Sequence, residues 1–359
     1  MNRKERFLAA VRRQPVDRVP MFDFLFQQPL YEALTGRRPE SYNARDAVAC
    51  ALALDHDAVW VPFGGFSGYQ PRYLAENVYI DEWGTTYQKS PSSWPIDAPV
   101  DYPIKSRADL AAYHPPDPNL PGRDAEIRAA LAMNNDGIAI TGGIAGPLAT
   151  AWLLLGYERI AISLYDDPQL VRDVFAISND FFKEAARRSV EAGVHAMWIS
   201  EDLGDSTRGF FRLNHFREFV LPYFAGLVEY VRGLGVPVLL HSCGRISAYL
   251  PDLIETGISA IHPLQRTAGM DLHQVKAQYG SQVCIIGNID SSRTLPFGTP
   301  VEVAAETREA IDIAAPGWGY VLGSDHSLHD GIPLDNILAL FRTGAEHGRL
   351  IYQGKLQER

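Results

Sequence analysis

The chain has 359 residues, of which 46% are hydrophobic and 21% charged, and its formal net charge is −10. This composition excludes disordered, collagen-like and disulfide-scaffold proteins, and the acidic balance argues against a general nucleic-acid-binding or anionic-membrane surface. The length alone allows two domains, although α/β barrels often exceed about 250 residues as one unit.

Eight short apolar runs, each followed by a cluster of turn-forming residues and then a helical pattern, recur along the chain. Near-continuous apolar runs are typical of parallel strands buried on both faces. Eight strand–helix units predict an α/β protein with a single (β/α)8 TIM barrel spanning residues 1–359, with a doubly wound sheet as the alternative. The predicted strands cover residues 19–24, 58–63, 137–141, 195–200, 237–240, 258–261, 283–286 and 320–322.

Apolar positions at a spacing of three to four predict helices between these strands. The N-terminus predicts a short amphipathic helix, because its apolar stretch at residues 7–11 is too short for a signal-peptide core. Three cysteines without a secretory signal suggest a cytoplasmic protein without disulfides. The later helices are predicted at residues 168–192, 214–234, 272–279, 300–314 and 334–347.

One long irregular segment, residues 64–135, follows the second predicted strand. Its residues 76–88 alternate around Gly84 and predict a hairpin, and a proline-rich stretch follows at residues 91–121. An insertion of this length usually forms an interface or a cover. We expect it to cover the mouth of the barrel.

Residues 137–157 contain no charged residue and are long enough to span a bilayer. Five glycines and Pro147 instead favour a strand, a glycine-rich turn and a helix start, so no membrane segment is expected. Gly142, Gly143 and Gly146 ahead of that helix could also cradle a phosphate, although their spacing fits no P-loop.

Polar residues follow most of the predicted strands, where the active sites of α/β barrels lie. His241 and Cys243 are two residues apart on an extended segment, so their side chains point to the same side. His326 after the eighth strand would complete the three protein ligands of a catalytic zinc site, with Glu201 as a fourth ligand or a general base. The alternative is a packing thiol beside structural histidines.

Several longer segments resemble the uroporphyrinogen decarboxylase superfamily. They are ERFLAAVRRQPVDRVP (5–20), VYIDEWGTTYQ (78–88), the run from EDLGDSTRGFF to LLHSCGRI (201–246), ISAIHPLQRTAGMDLHQVKAQYG (258–280), IIGNID (285–290) and GYVLGSDHSLHDGIPLDNI (319–337). The resemblance covers nearly the whole chain and implies a single (β/α)8 barrel.

Two branches of that superfamily differ at the site. The decarboxylases carry an arginine motif near the N-terminus that binds the carboxylates of the tetrapyrrole, whereas the equivalent segment here, FDFLFQQPLYEA (22–33), has no arginine. The cobamide-dependent methyltransferases carry the H-x-C zinc ligands seen here in HSCG, and a cysteine seven residues before a proline as third ligand. That position holds His326, seven residues before Pro333, and decarboxylases also carry a histidine there.

The resemblance therefore implies a zinc-dependent methyltransferase that moves a methyl group to or from a corrinoid (cobalamin) co-substrate, carried on a partner protein or paired with a small methylated substrate. The alternatives are a uroporphyrinogen decarboxylase and a non-catalytic corrinoid-binding subunit. We expect no nucleic-acid or membrane partner, and a homodimer fits the habit of the superfamily. The residues expected at the site are the metal ligands His241, Cys243 and His326, the acid–base or orienting residues Glu201, Asp202 and Asp325 (which would orient His326), and the substrate contacts Asp23, Tyr87, Asn288 and Asp290.

Overall fold

The computed structural model describes residues 1–66, 69–90, 94–135 and 137–353, in which strands and helices alternate along the chain. The strands are β1 (Leu25–Phe26), β2 (Ala58–Pro62), β3 (Arg72–Ala75), β4 (Val78–Ile80), β5 (Thr86–Gln88), β6 (Ala98–Asp101), β7 (Ala139–Ala145), β8 (Ala196–Ser200), β9 (Val238–His241), β10 (Ala260–His262), β11 (Cys284–Ile286), β12 (Tyr320–Val321) and β13 (Leu328–His329). The helices are α1 (Arg3–Val11), α2 (Gln28–Thr35), α3 (Ala44–Ala53), α4 (Arg107–Ala112), α5 (Ala125–Ala132), α6 (Pro147–Leu155), α7 (Tyr157–Asp166), α8 (Pro168–Ala192), α9 (Leu213–His215), α10 (Leu221–Gly233), α11 (Leu250–Glu255), α12 (Leu272–Tyr279), α13 (Thr294–Phe297), α14 (Pro300–Ala314) and α15 (Leu334–Leu350). A π-helical turn, Phe216–Val220, lies between α9 and α10.

Seven parallel strands form the central sheet in the order β2, β7, β8, β9, β10, β11, β12. The sheet order follows the chain order, whereas a doubly wound sheet reverses its strand order, so the alternative architecture is wrong. The predicted strands from the second to the eighth all lie in this sheet, and α8, α12 and α14 have the predicted bounds. The fold is therefore α/β with a parallel sheet of the barrel type.

The predicted strand at residues 19–24 is not a regular strand. Its backbone forms hydrogen bonds with both edges of the sheet: the N–H of Phe22 donates to Leu322 O (3.0 Å), and the N–H of Asp57, just before β2, donates to Met21 O (2.8 Å). The N–H of Met21 instead donates to the Asp57 carboxylate (2.8 Å). Because a side chain takes the place of a backbone acceptor, the segment joins the two edges without a continuous ladder.

The predicted glycine turn after residue 141 is also wrong, because β7 continues to Ala145. A Cβ on Gly142 would lie 2.9 Å from the Met197 side chain, and one on Gly143 would lie 2.1 Å from the Trp60 indole nitrogen. Glycine is needed here because neighbouring side chains fill the space over the strand, and not because the backbone turns.

Residues 64–135 contain a separate antiparallel sheet with the strand order β3, β4, β5, β6. The predicted hairpin is confirmed as the β4–β5 pair, and Gly84 adopts a φ of +86° in its turn. Part of the predicted proline-rich stretch, residues 91–93, lies outside the described residues. Among the described residues, no helix is both long and apolar enough to cross a membrane.

A cluster of aromatic side chains packs around Phe24, next to the predicted site. The Phe24 ring lies 5.4 Å from Trp60, 5.3 Å from Trp198, 5.4 Å from His241 and 5.2 Å from His262, measured between ring centroids. All five rings are buried or nearly so. The two histidines at the ends of β9 and β10 therefore pack against a layer of aromatic side chains.

Candidate metal centre

The structure brings together the three side chains predicted as metal ligands. His241 ends β9, Cys243 follows it by two residues, and His326 lies in the loop after β12. One ligand atom from each of them lies within 4.8 Å of the others, and all three side chains are partly buried. In the part of the chain that the structure describes, this is the one cluster of three or more His, Cys, Asp or Glu residues that could hold a metal.

Each of the three side chains is oriented by a neighbour. Nδ1 of His241 lies 2.8 Å from Nδ1 of His262, and Nδ1 of His326 lies 2.9 Å from the Ser327 hydroxyl. The thiol of Cys243 donates to Oδ1 of Asp202 at 3.2 Å. Both imidazoles therefore keep Nε2 for a ligand, which is a common arrangement at metal centres.

The electrostatics of the cluster favour neutral side chains. Burial lowers the pKa of His241 to about 4, and it also lowers the pKa of His326. Burial and the Asp202 charge raise the pKa of the Cys243 thiol well above its usual value. A bound cation would reverse this balance for the thiol, because coordination stabilises the thiolate. Two imidazoles and one thiol are donors that Zn²⁺ prefers, so the residues present fit this metal.

Asp202, predicted as an acid–base or orienting residue, lies beside the cluster. Its Oδ1 is 3.6 Å from Nε2 of His241 and accepts both the thiol and the backbone N–H of Cys243 at 3.2 Å. With 40% of its side chain exposed, Asp202 is accessible from solvent. Its carboxylate therefore lies both within hydrogen-bonding distance of the Cys243 thiol and open to solvent.

Glu201, predicted as an acid–base residue or a fourth ligand, has its carboxylate at the start of α6. Its two oxygens accept the backbone N–H groups of Leu148 and Ala149, each at 2.9 Å. A Cβ on Gly146 would lie 2.3 Å from Oε2 of Glu201, so the glycine makes room for the carboxylate. The protein's own carboxyl side chain occupies this helix N-terminus, so the phosphate-cradle alternative is wrong.

Asp325 is predicted from the sequence to orient His326, but the hydrogen bonds described for its carboxylate go to other residues. Its carboxylate accepts the N–H and hydroxyl of Ser291 at 2.8 and 2.6 Å and the N–H of Arg266 at 2.9 Å. These three donors account for the hydrogen bonds described for the Asp325 carboxylate. Asp325 therefore fixes the backbone next to His326, and Ser327 orients the ring.

Asp23, predicted to contact the substrate, is also occupied within the protein. Its carboxylate accepts the N–H and hydroxyl of Ser324 at 2.7 and 2.9 Å, and burial raises its pKa to about 7. With Asp23 on one side and Asp325 on the other, two buried carboxyl groups anchor the loop that carries His326. These contacts favour a supporting role.

The other predicted substrate contacts lie in different surroundings. Asn288 is fully buried and donates to Leu264 O at 3.0 Å, and its Oδ1 is buried without a partner among the described residues. Oδ1 of Asp290 accepts the N–H groups of Ser292 and Arg293, each at 2.8 Å. Tyr87 lies on β5 of the antiparallel sheet, where its ring stacks on Tyr79 at 5.2 Å. None of the hydrogen bonds or ring contacts described for these three joins them to the ligand cluster.

Sequence reasoning gave no role to His262 or Ser327, both of which contact predicted ligands. A signal for His262 was present, because it ends the strand next to the one that His241 ends. The two residues are directly opposite each other in the β9–β10 register. Ser327 follows His326 directly, a position from which a hydroxyl can reach the neighbouring ring.

A cavity of about 690 Å³ lies between α7, residues 208–215 and residues 248–249. It is lined by aromatic side chains, including Tyr157, Phe210 and Tyr249, and by Arg208 and Arg212. The loop that follows Asp202 thus forms one wall of the cavity. The volume of this cavity is within the range of small-molecule sites. Burial, together with the charge of Asp202, raises the pKa of the Tyr157 phenol in its wall.

Comparisons with known proteins identify relatives of both expected branches. The family model for uroporphyrinogen decarboxylase (URO-D) matches residues 95–347. The uroporphyrinogen decarboxylase of Anaeromyxobacter dehalogenans is 28% identical over 355 residues, which cover 93% of this chain and 96% of the relative. The methylcobamide:CoM methyltransferase MtbA of Methanosarcina acetivorans is 25% identical over 335 residues, which cover 89% and 92%.

Among solved structures, a methyltransferase from Methanosarcina mazei has a TM-score of 0.76 and 21% sequence identity. The match covers 96% of this chain and 99% of the methyltransferase. At this level of identity the likeness establishes the shared fold.

Proposed function

The chain belongs to the uroporphyrinogen decarboxylase (URO-D) family, and within this family we propose that it is a zinc-dependent methyltransferase that moves a methyl group to or from a corrinoid cofactor. The observation that carries the proposal is the convergence of His241, Cys243 and His326, whose ligand atoms lie within 4.8 Å of one another. Three protein ligands would leave a fourth position for the reacting molecule, as in catalytic zinc sites.

In the proposed mechanism, His241 and His326 would hold the metal through Nε2, and Cys243 would hold it through Sγ. Bound zinc would supply Lewis-acid chemistry, lowering the pKa of an incoming thiol or polarising a leaving group. Asp202 holds the proton that is released when a thiol in the site ionises, because its Oδ1 already accepts from Cys243 at 3.2 Å. The aromatic side chains around Phe24 exclude water from the side of the ligands on which they pack.

The substrate would approach from the side of Asp202, the partly exposed member of the site. The cavity walled by Tyr157, Phe210 and Tyr249 adjoins the loop after Asp202 and offers room for a small methylated molecule. A corrinoid would be presented by a partner protein, and the antiparallel sheet of residues 64–135 would cover it.

The second candidate is uroporphyrinogen decarboxylation, which the 28% identical decarboxylase relative favours. The segment at residues 22–33 argues against it, because it has no arginine to pair with the substrate's carboxylates. Gln27 in that segment is buried and donates to the backbone oxygens of His329 and Ile332, at 2.8 and 2.7 Å. It supports the loop after His326 and adds no positive charge.

Metal analysis tests the proposal. The protein, purified without chelators, is expected to contain about one zinc per chain, and the Cys243→Ala variant to lose most of it. Cys50→Ala, which changes a fully buried cysteine in α3, is the matched control and should keep the metal. Formation of coproporphyrinogen from uroporphyrinogen, without any transfer of methyl groups to or from a corrinoid, would replace this proposal with the second candidate.

A further inference from the structure

We infer that His262, which takes no part in the proposed mechanism, is a positioning residue: it accepts a hydrogen bond from Nδ1 of His241 and thereby makes Nε2 of His241 the metal-binding atom. The inference rests on the proposed zinc site, and it assigns the hydrogen-bond partner of the His241 ring nitrogen that does not bind the metal.

The contact follows from strand register. His241 and His262 end the neighbouring strands β9 and β10 and are directly opposite each other. Their Nδ1 atoms lie 2.8 Å apart and their ring centroids 5.0 Å apart. A nitrogen–nitrogen contact this short between two rings requires one donor and one acceptor, so a single hydrogen lies between them.

The position of the ligand cluster decides which ring donates. Nε2 of His241 lies on the side of the cluster, 3.6 Å from Oδ1 of Asp202, and that oxygen lies 3.2 Å from Sγ of Cys243. A neutral imidazole has one protonated nitrogen and one with a free lone pair. Because metal binding needs the lone pair on Nε2, the hydrogen must be on Nδ1 of His241, and His262 must accept it.

His262 is held so that it cannot turn away from this contact. It is 1% exposed, and its ring meets Phe24 edge-on at 5.2 Å and Trp198 edge-on at 5.6 Å. Packing against Phe24 and Trp198 fixes the plane of the His262 ring and keeps Nδ1 of His262 facing His241.

The choice of a histidine as acceptor also fits the charge of the site. Metal-binding histidines usually donate to a carboxylate or a backbone carbonyl. Asp202 and a thiolate at Cys243 would already place two negative charges beside one divalent cation. A neutral imidazole provides the acceptor without adding a third negative charge to a buried site.

Two substitutions of His262 separate hydrogen bonding from packing. His262→Asn places an amide oxygen near the position of Nδ1 and keeps an acceptor, whereas His262→Leu removes it. His56→Leu is the matched control, because His56 is also fully buried, and within the described part of the chain neither of its ring nitrogens has a hydrogen-bond partner. The measurements are the dissociation constants of Zn²⁺ and Co²⁺ from chelator competition, and the visible absorption spectrum of the Co²⁺ protein.

We expect His262→Leu to weaken metal binding about 10- to 100-fold and to change the Co²⁺ spectrum. His262→Asn should restore both properties toward those of the parent, and His56→Leu should change neither. Parent-like affinity and spectrum in His262→Leu would overturn the inference while leaving the proposed zinc site intact. Equal losses in the Leu and Asn variants, or in His56→Leu, would also overturn it, because bulk or general stability would then explain the effect. A parent protein that binds neither metal would refute the proposed zinc site itself.

Discussion

Glu201 offers a test of whether a predicted catalytic carboxylate is in fact a buried helix cap. Burial raises the pKa of Glu201 from 4.5 to about 8, even though two backbone N–H groups of α6 donate to it and lower the pKa. A folded-state pKa above the unfolded value means that, between about pH 4.5 and 8, the native state binds more protons than the unfolded state. The free energy of unfolding must therefore fall as the pH rises through this window.

The size of the effect follows from the shift. Each pKa unit corresponds to about 1.36 kcal/mol, so the full shift of Glu201 corresponds to at most about 5 kcal/mol between pH 4.5 and 8. Glu201→Gln keeps the shape of the side chain and removes the titration. Comparing the two proteins also cancels the contribution of other carboxyl groups, such as Asp23, whose pKa is about 7.

The assay is urea unfolding of both proteins at intervals between pH 5 and 9. We expect the parent to lose stability relative to Glu201→Gln by several kcal/mol as the pH rises, with most of the change below pH 8. Both proteins should bind zinc equally. A stability difference that does not vary with pH would refute the raised pKa, and loss of zinc in Glu201→Gln would show that Glu201 is a metal ligand after all.

Two further predictions concern the supports of the site. Ser327→Ala removes the hydrogen-bond partner of Nδ1 of His326. The zinc affinity, measured by chelator competition, should then fall about 10-fold with little change in melting temperature. An unchanged affinity would count against this role of Ser327. Gly146→Ala would place a Cβ 2.3 Å from Oε2 of Glu201 and should lower the free energy of unfolding by about 2–3 kcal/mol. Gly226→Ala is the control, because Gly226 lies in α10 and a Cβ there would have no atom within 4 Å. In urea titrations of both variants, this control should raise the free energy of unfolding by up to about 1 kcal/mol. Equal effects of the two substitutions would contradict the reasoning.

The sequence was sufficient for much of the fold because buried parallel strands leave a strong local signal. The apolar run that became β8, between a helix with a glycine cap at Gly193 and the acidic pair Glu201–Asp202, shows this well. The segment at residues 19–24 has the same apolar character, but its hydrogen bonds depend on the distant carboxylate of Asp57. No local pattern records such a contact.

The candidate site divides in the same way. The pairing of His241 with Cys243 could be read from a spacing of two along one extended segment. The orientation of the side chains could not be read from the sequence. Glu201 and Asp202 are adjacent in the chain, and yet Glu201 caps α6 while Asp202 contacts Cys243. Similarly, Gly142 and Gly143 resemble a turn in the sequence, and only the packing of Met197 and Trp60 shows why a strand needs glycine there.

We propose that His241, Cys243 and His326 bind one zinc ion. The decisive experiment is anomalous diffraction from a crystal of the chelator-free protein, recorded on both sides of the zinc absorption edge. We expect one strong peak within about 2.0–2.4 Å of Nε2 of both histidines and Sγ of Cys243. A zinc-supplemented crystal without a peak at this place, or with a peak bound to other side chains, would contradict it.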